Sequence, residues 1–331
     1  MMGKISQKDI AASLSLSRVT VTKALKDHPD IAADTIRKVK DRALELGYIP
    51  NLIGRSLSSN RTYTIGIIVP KIASSFFSYS IEKIYKAAHK KGYNIIPMVS
   101  FEDHIQEIEN IRTLVSLSVD GIILDIAQNT PDNSGYELAI NRGCKVVFYD
   151  RHPPGFTLSS IVTDDRKGAY ELTKHLVGKG YRRIYHFAGP ATLSISEERR
   201  KGYEAAIKEA DLEKHIQSVE MNRVDGSNAL HKLAENNTLP DAVFAVNDVV
   251  AHGIYDAAAE LGLNIPSDLA VAGFGDLKTS ALLSPPMTTV NPPLEKMAGA
   301  AVEMLINMIE KDEVSTEQRV FESLLVIRRS T

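Results

Sequence analysis

The chain has 331 residues, of which 44% are hydrophobic and 24% are charged. This length predicts two or three domains, and the composition is typical of a globular protein. No apolar run approaches the roughly 18 residues that a bilayer-spanning helix needs, and the N-terminus lacks the continuous apolar stretch of a secretory signal. The single cysteine, Cys144, excludes an internal disulfide and has no companion at metal-ligand spacing. We therefore expect a cytoplasmic protein without a membrane partner, a metal or another cofactor.

The formal net charge of −2 conceals an asymmetry along the chain. Residues 1–62 contain eleven lysines and arginines against six aspartates and glutamates, a net charge of +5, so the rest of the chain carries −7. A small basic head on a larger acidic body indicates that only the head meets a polyanion such as nucleic acid. Charge alone does not distinguish this interpretation from chance.

Residues 4–47 predict three short helices. The first begins with a capping box, in which Ser6 is the N-cap and Asp9 reaches back to its backbone N–H. The third extends to about Leu46 and ends at Gly47, a residue that commonly follows the C-terminus of a helix.

The second helix begins at the N-cap Ser17 and has one clearly apolar face. Val21, Ala24 and Leu25 share that face because they are spaced at i, i+3 and i+4. The polar and exposed positions of the same helix are Arg18, Val19, Thr22, Lys23 and Lys26.

Pro50 opens a polar segment, residues 51–62, that is too short to fold alone and is typical of a linker or of a helix formed only on binding. From Tyr63 onward, apolar strands alternate with amphipathic helices, which predicts parallel sheets covered by helices on both faces. The predicted strands are Thr64–Val69, Tyr93–Met98, Gly121–Leu124, Lys145–Tyr149, Arg183–Ala188, Ala242–Val246 and Leu269–Phe274. The clearest helices are Tyr79–Lys91, Arg166–Val177, Ser196–Ala210 and Val249–Leu261.

These residues resemble the LacI/GalR family of bacterial transcription regulators over nearly the whole chain. The head, DIAASLSLSRVTVTKALKDHPDI, is similar to the family's helix-turn-helix, and LGYIPN at 46–51 and RSL at 55–57 match its signature and hinge. The body matches the family in order, with TIGIIVP at 64–70, VDGIIL at 119–124, FYDR at 148–151, VTDDRKGAY at 162–170, ERRKGY at 198–203, FAVND at 244–248, VAGFGD at 271–276 and SPPMTTV at 284–290.

The resemblance implies an all-α helix-turn-helix head (1–49), a hinge (50–62) and a two-lobed, periplasmic-binding-protein-like α/β sensor domain (63–331). Its N-terminal lobe is expected at about 63–161 and 292–321, and its C-terminal lobe at about 162–291 and 322–331. It also implies a sequence-specific repressor that binds a pseudo-palindromic operator as a homodimer. A small-molecule effector, such as a sugar, a sugar acid or a derivative, would bind in the cleft between the lobes.

In a helix-turn-helix, residues at the N-terminus of the second helix meet base edges in the major groove. Arg18 can fork onto guanine, Val19 can pack on a thymine methyl group, and Lys23 lies one turn further on. The alternative is that Arg18 and Lys23 are solvated helix charges. The resemblance also implies phosphate contacts through the hydroxyl groups of Ser6, Ser17, Thr20 and Tyr48.

The hinge resemblance adds Asn51, Arg55 and Leu57 to the expected DNA contacts, with Leu57 wedged into the minor groove at a central base step. The alternative is that Leu57 is an ordinary linker residue. Gly54 replaces the alanine of many relatives, which weakens an isolated hinge helix by about 1 kcal/mol.

The resemblance places six effector-binding residues around the cleft. Several of these assignments have an alternative. For Phe76 and Phe77, the alternative is that one of the pair is a core residue that packs inside the lobe. The alternative for Arg199 is a solvated charge run, and that for Asp248 is a helix N-cap. Asp164 and Asp165 are interpreted as helix caps. The six expected ligand-binding residues are Phe76, Phe77, Asp150, Arg199, Asn247 and Asp248.

Two positions of the sensor domain depart from the family pattern. Gly275 replaces a sugar-binding aspartate, which is displaced to Asp276, and Pro292 replaces a glutamine. Since both changes remove hydroxyl-binding groups, we expect Arg199 to dominate recognition and to favour an anionic or strongly acceptor-rich ligand.

Two other classes of protein share this α/β pattern. An enzyme is disfavoured because the chain has no GxSxG, P-loop or HExxH motif. A solute-binding transport protein is disfavoured by the basic head and the absent secretory signal. We therefore expect a regulator that is not an enzyme.

Overall fold

The computed structural model describes residues 5–49, 61–130, 134–153 and 158–331. The chain divides into two compact units, Met1–Thr62 and Tyr63–Thr331. Among the described residues, no helix is both long enough and apolar enough to cross a bilayer.

The first unit contains the three predicted helices, α1 (Gln7–Leu14), α2 (Arg18–Ala24) and α3 (Ala33–Glu45). The capping box is confirmed, since the backbone N–H of Ser6 donates to Asp9 Oδ2 at 2.8 Å. Ser17 is the N-cap of α2, and its Oγ accepts from the backbone N–H of Thr20 at 3.0 Å. The small core is formed mainly by Ile10, Ala11, Val21, Ala24, Val39 and Ala43.

The turn between α1 and α2 depends on a left-handed residue. Ser15, the C-cap of α1, has φ 52° and ψ 38°, a conformation in which non-glycine residues are strained. Gly47, which follows the C-cap of α3, also has a positive φ of 66°, as its predicted position after the helix requires.

The second unit contains two six-stranded sheets, and the predicted α/β class is confirmed. The first sheet is entirely parallel, in the order β11-β5-β4-β3-β1-β2. Its strands are β1 (Thr64–Val69), β2 (Asn94–Val99), β3 (Gly121–Leu124), β4 (Lys145–Tyr149), β5 (Ser160–Thr163) and β11 (Gln318–Phe321). Its helices are α4 (Ser75–Lys90), α5 (His104–Ser116), α6 (Ser134–Asn141) and α11 (Leu294–Lys311).

The second sheet has the order β12-β10-β9-β8-β6-β7 and is parallel except for β12 at its edge. Its strands are β6 (Ile184–Ala188), β7 (His215–Ser218), β8 (Ala242–Ala245), β9 (Ala270–Phe274), β10 (Thr288–Asn291) and β12 (Leu324–Val326). The remaining helices are α7 (Asp165–Gly178), α8 (Ser194–Glu209), α9 (Arg223–Glu235), α10 (Asp248–Glu260) and a 3₁₀ helix, Lys278–Leu282.

Each sheet with its helices forms one lobe, and the chain passes between the lobes three times. The crossings follow β5, β10 and β11, because the strands on either side of each crossing belong to different sheets. The carboxyl ends of the parallel strands carry the loops that meet at the crevice, which is where ligands of open α/β sheets bind.

Candidate functional site

In the head, α2 presents two expected base-reading residues to solvent. Arg18 is exposed and Val19 is 66% exposed, whereas Val21 and Ala24 on the opposite face are fully buried. Lys23 is not free, since its Nζ donates to Asp30 Oδ2 at 2.8 Å.

The expected phosphate-binding hydroxyl groups have different surroundings. The hydroxyl of Ser6 donates to Asp9 at 2.8 Å, and those of Ser17 and Thr20 lie 2.8 Å apart. Tyr48 packs against the core of the head. The hinge residues Asn51, Gly54, Arg55 and Leu57 lie outside the described residues.

A cavity of about 400 Å³ lies between the two lobes of the sensor unit. All six expected ligand-binding residues line it, as do the two departures Gly275 and Pro292. Residues from loops on both lobes contribute, so the cavity changes shape if the lobes move relative to each other. Its further lining includes Lys71, Glu102, Arg151, Ile195, Met221, Asn222, His252, Phe274 and Leu277.

One wall is aromatic. The rings of Phe76 and Phe77 pack edge to face with centroids 5.4 Å apart. Phe77 is buried in the core of the N-terminal lobe, which agrees with the alternative that one of the pair is a core residue. The guanidinium of Arg151 lies 5.2 Å from the centroid of the Phe77 ring.

Asp150 follows β4 and supplies an acceptor to the cavity. It is only 4% exposed and has a positive φ of 62°, a strained backbone conformation that is often found at functional sites. Burial raises the pKa of this carboxyl, and the charges of Arg199 and Arg151 oppose that rise. Within the described part of the chain, its carboxylate is influenced by the charges of two arginines and by no hydrogen bond, and it lines the cavity, so it is available to a ligand.

Arg199 is buried rather than part of a solvated charge run. Its Nε donates to Asp165 Oδ1 at 2.8 Å, its Nη2 lies 2.7 Å from the same oxygen, and its Nη1 donates to the carbonyl of Val246 at 2.7 Å. Its guanidinium stacks 3.8 Å from the centroid of the Phe274 ring. The cap interpretation of Asp165 is wrong, because Asp164 caps α7 and Asp165 compensates the charge of Arg199.

This ion pair also removes the basis for expecting an anionic ligand. With Asp165 on one side and the carboxylate of Asp150 nearby, the guanidinium of Arg199 is not an uncompensated cation.

The N-cap interpretation of Asp248 is likewise wrong. Asn247 caps α10, and its side chain accepts from the backbone N–H of Val250 at 2.9 Å. The Asp248 oxygens accept from Leu277 N at 2.8 Å, Ser280 Oγ at 2.7 Å and Thr289 Oγ1 at 2.6 Å. Asp248 therefore anchors the segment between β9 and β10 beside the cavity, and its acceptors are already engaged.

The displaced aspartate does not replace the missing hydroxyl-binding group. Gly275 has φ 135°, a conformation that favours glycine, and it leaves this part of the cavity without a side chain. Asp276 instead pairs with Arg328 at 2.6 Å.

Sequence reasoning missed a buried charge cluster beside the cavity, of which two members, Glu102 and Arg151, line it. Arg151 Nη1 lies 3.1 Å from Glu102 Oε2, and its Nε lies 3.6 Å from Asp125 Oδ1. Arg151 was part of the FYDR motif, but nothing in the sequence linked it to Glu102, which is 49 residues away. Burial raises the pKa of Asp125 well above its ordinary value.

Comparisons with known proteins agree with this architecture. A family model described as a periplasmic binding protein-like domain matches residues 173–331. The chain is 31% identical to the HTH-type transcriptional regulator RegA of Clostridium saccharobutylicum, covering 98% of this chain and 99% of RegA. It is 30% identical to the HTH-type transcriptional repressor PurR of Pasteurella multocida, covering 98% of this chain and 97% of PurR.

A solved structure of a related regulator has a similar fold over the sensor unit. The crystal structure of a periplasmic binding protein/LacI transcriptional regulator from Alkaliphilus metalliredigens, complexed with D-xylulofuranose, matches with a TM-score of 0.73 and 28% identity. The match covers 81% of this chain and 99% of that one.

The fold and the two sites thus define a two-lobed, periplasmic-binding-protein-like sensor preceded by a helix-turn-helix head. The chain belongs to the LacI/GalR family of bacterial transcription regulators.

Proposed function

We propose that the protein is a transcriptional repressor that binds a pseudo-palindromic operator as a homodimer and responds to a small metabolite in the interlobe cavity. The observation that carries the DNA-binding part is the geometry of α2. This helix is capped by Ser17 at its N-terminus, buries one face and leaves Arg18 and Val19 exposed at its first two positions. The named relatives, RegA and PurR, are both transcriptional regulators, and neither DNA binding nor effector binding requires a chemical reaction.

The test of DNA binding is selection of genomic fragments by the purified full-length protein. We expect enrichment of a repeated, inverted half-site, because a two-fold symmetric dimer presents two identical heads. Binding should weaken steeply with salt, since lysine and arginine contacts to phosphates release counterions. A selection that enriches no half-site repeat would contradict the proposal.

The effector is proposed to be a neutral, hydroxyl-bearing metabolite, such as a sugar or a sugar derivative. Asp150 is the buried carboxylate that remains available to ligand hydroxyl groups, whereas Arg199 is already compensated by Asp165. The size of the cavity, about 400 Å³, suits a small metabolite. The D-xylulofuranose complex of the structural relative supports the same ligand class.

The test is a thermal-shift screen of residues 63–331 against neutral sugars, sugar acids and unrelated metabolites, because a ligand that binds only the folded chain raises its melting temperature. Asp150→Asn should abolish the shift produced by the best neutral ligand, and Asp276→Asn serves as the control outside the cavity. Stabilisation by anionic ligands alone would contradict the proposed class.

A further inference from the structure

The segment Ile126–Thr130, which follows β3, is held by the side chains of two glutamates. The backbone N–H of Ala127 donates to Glu107 Oε2 at 2.6 Å, and that of Gln128 donates to Glu102 Oε2 at 2.9 Å. Thr130 Oγ1 donates to Glu107 Oε1 at 3.1 Å. Two carboxylates therefore hold the backbone of this loop of the N-terminal lobe.

The same loop contacts the opposite lobe. The hydroxyl of Thr192, in the loop between β6 and α8, donates to the carbonyl oxygen of Gln128 at 2.7 Å. Two residues further on, Ser194 Oγ accepts from the backbone N–H of His152 at 3.3 Å. The loop before α8 and the first residue of α8 thus contact the N-terminal lobe through two hydroxyl groups. Thr192 is exposed, so this contact can exchange with water when the lobes separate.

The Gln128 peptide connects this interlobe contact to the cavity. Its carbonyl accepts from Thr192, and its N–H is held by Glu102, which also pairs with Arg151 at 3.1 Å. Both Glu102 and Arg151 line the cavity. Phe101 and Glu102 are consecutive residues with positive φ values of 57° and 60°, respectively. Such strain persists only where surrounding contacts hold it, and Glu102 is held by its contacts with Arg151 and the Gln128 N–H.

We propose that Thr192 and Gln128 form a latch between the lobes and that Glu102 is the positioning residue through which the occupant of the cavity controls it. A ligand that attracts Arg151 or Glu102 changes the hydrogen bond between Glu102 and the Gln128 N–H. The Gln128 carbonyl, which accepts from Thr192, then changes its position. Control by a ligand rests on the proposed function, whereas the latch itself does not, so the two are tested separately.

The test is amide hydrogen exchange of the full-length protein without ligand or DNA, read for segments 126–130 and 189–195. Thr192→Val removes the hydroxyl at nearly constant volume. We expect exchange of segment 126–130, in the opposite lobe, to become roughly three- to tenfold faster, the effect of losing one hydrogen bond. Thr192→Ser, which keeps the hydroxyl, should restore the wild-type rate. Thr113→Val is the matched control, because its exposed hydroxyl donates to a carbonyl within α5.

Glu102→Gln tests the connection to the cavity. In the wild type, Glu102 Oε2 accepts from both Arg151 Nη1 and the Gln128 N–H. A glutamine oxygen in its place carries no charge, so both charge-assisted hydrogen bonds become weaker. We expect faster exchange in segment 126–130 and also in segment 189–195, and no further increase in the Glu102→Gln/Thr192→Val double variant. Unchanged exchange of segment 126–130 in Thr192→Val would overturn the latch, and unchanged exchange of segment 189–195 in Glu102→Gln would overturn the role of Glu102. Neither result affects the operator selection, whose failure would instead remove the proposed function.

Discussion

Arg199 Nη2 lies 2.7 Å from Asp165 Oδ1, and the two side chains retain only 6% and 5% of their accessible surface. A buried ion pair of this kind joins α8 to α7 directly beside the cavity. Since each charge depends on the other for compensation, removing one partner leaves the other buried and unpaired.

Arg199→Ala should therefore lower the free energy of unfolding of the sensor unit by roughly 3–5 kcal/mol. Adding Asp165→Asn should recover part of that loss, because the uncompensated carboxylate is then absent. The measurement is urea-induced unfolding of residues 63–331.

The matched control is Lys174→Ala. Lys174 on α7 pairs with Glu209 on α8 at 3.1 Å, but both side chains are about half exposed. An exposed pair contributes about 0–1 kcal/mol, so this variant should unfold almost like the wild type. If the Arg199 and Lys174 variants lose the same free energy of unfolding, burial does not increase the contribution of the Arg199–Asp165 pair to stability.

Glu107 should make the stability of the sensor unit depend on pH. Burial raises the pKa of its carboxyl from 4.5 to about 7, although hydrogen bonds from Ala127, Tyr136 and Thr130 oppose the rise. Between these values the folded chain binds more protons than the unfolded chain. The free energy of unfolding should therefore decrease as the pH rises from about 4.5 to about 7. A pKa difference of this size corresponds to a decrease of roughly 3 kcal/mol.

Glu107→Gln should remove this contribution and raise the stability at pH 8 relative to the wild type. The amide oxygen still accepts from Ala127, and the amide nitrogen donates to the hydroxyl oxygens of Thr130 or Tyr136. Urea unfolding at several pH values measures the difference between the two proteins. Glu109→Gln, an exposed position on the same helix, should leave the pH dependence unchanged. Parallel pH profiles of the wild type and Glu107→Gln would refute this assignment.

Ser15→Gly should stabilise the head. Ser15 has the left-handed conformation at φ 52°, which glycine adopts without the steric cost of a Cβ atom. We expect a gain of about 0.5–1 kcal/mol, after allowing for the greater entropy of glycine in the unfolded chain. Thermal unfolding of residues 1–62, followed by circular dichroism, is the measurement.

Ala12→Gly, three positions earlier in α1, is the control with the opposite sign. It introduces the same residue into a right-handed helix and should cost about 1 kcal/mol. If both glycines destabilise the head, the strain at Ser15 is not relieved by glycine.

Arg18→Ala should reduce affinity for the selected operator by about 1–3 kcal/mol and relax the preference at one base pair in each half-site. The reason is that an exposed guanidinium at the start of α2 can form paired hydrogen bonds with guanine. Arg112→Ala, an exposed arginine of the sensor unit that pairs with Glu109, should bind the operator like the wild type. An unchanged base preference in Arg18→Ala would assign sequence recognition to other residues.

Local patterns in the sequence were sufficient for the helices of the head and for most of the parallel strands. The Ser6 and Ser17 caps, the apolar face of α2 and the strand Thr64–Val69 depend on residues that are close together in the chain. The strands that were not predicted are short. β7 and β11 carry little apolar surface, and they are strands because neighbouring strands supply their hydrogen-bonding partners.

The charge state of the cavity was decided only by the tertiary structure. The sequence placed Asp150 and Arg199 at the cleft, but the partner of Arg199 lies 34 residues away at Asp165, and the partner of Arg151 lies 49 residues away at Glu102. Electrostatic compensation depends on distance in space and on exclusion of water, and neither is encoded in a local pattern. The sequence by itself thus determined the family, the order of the lobes and the residues around the cleft, whereas folding decided which of their charges remain available to a ligand.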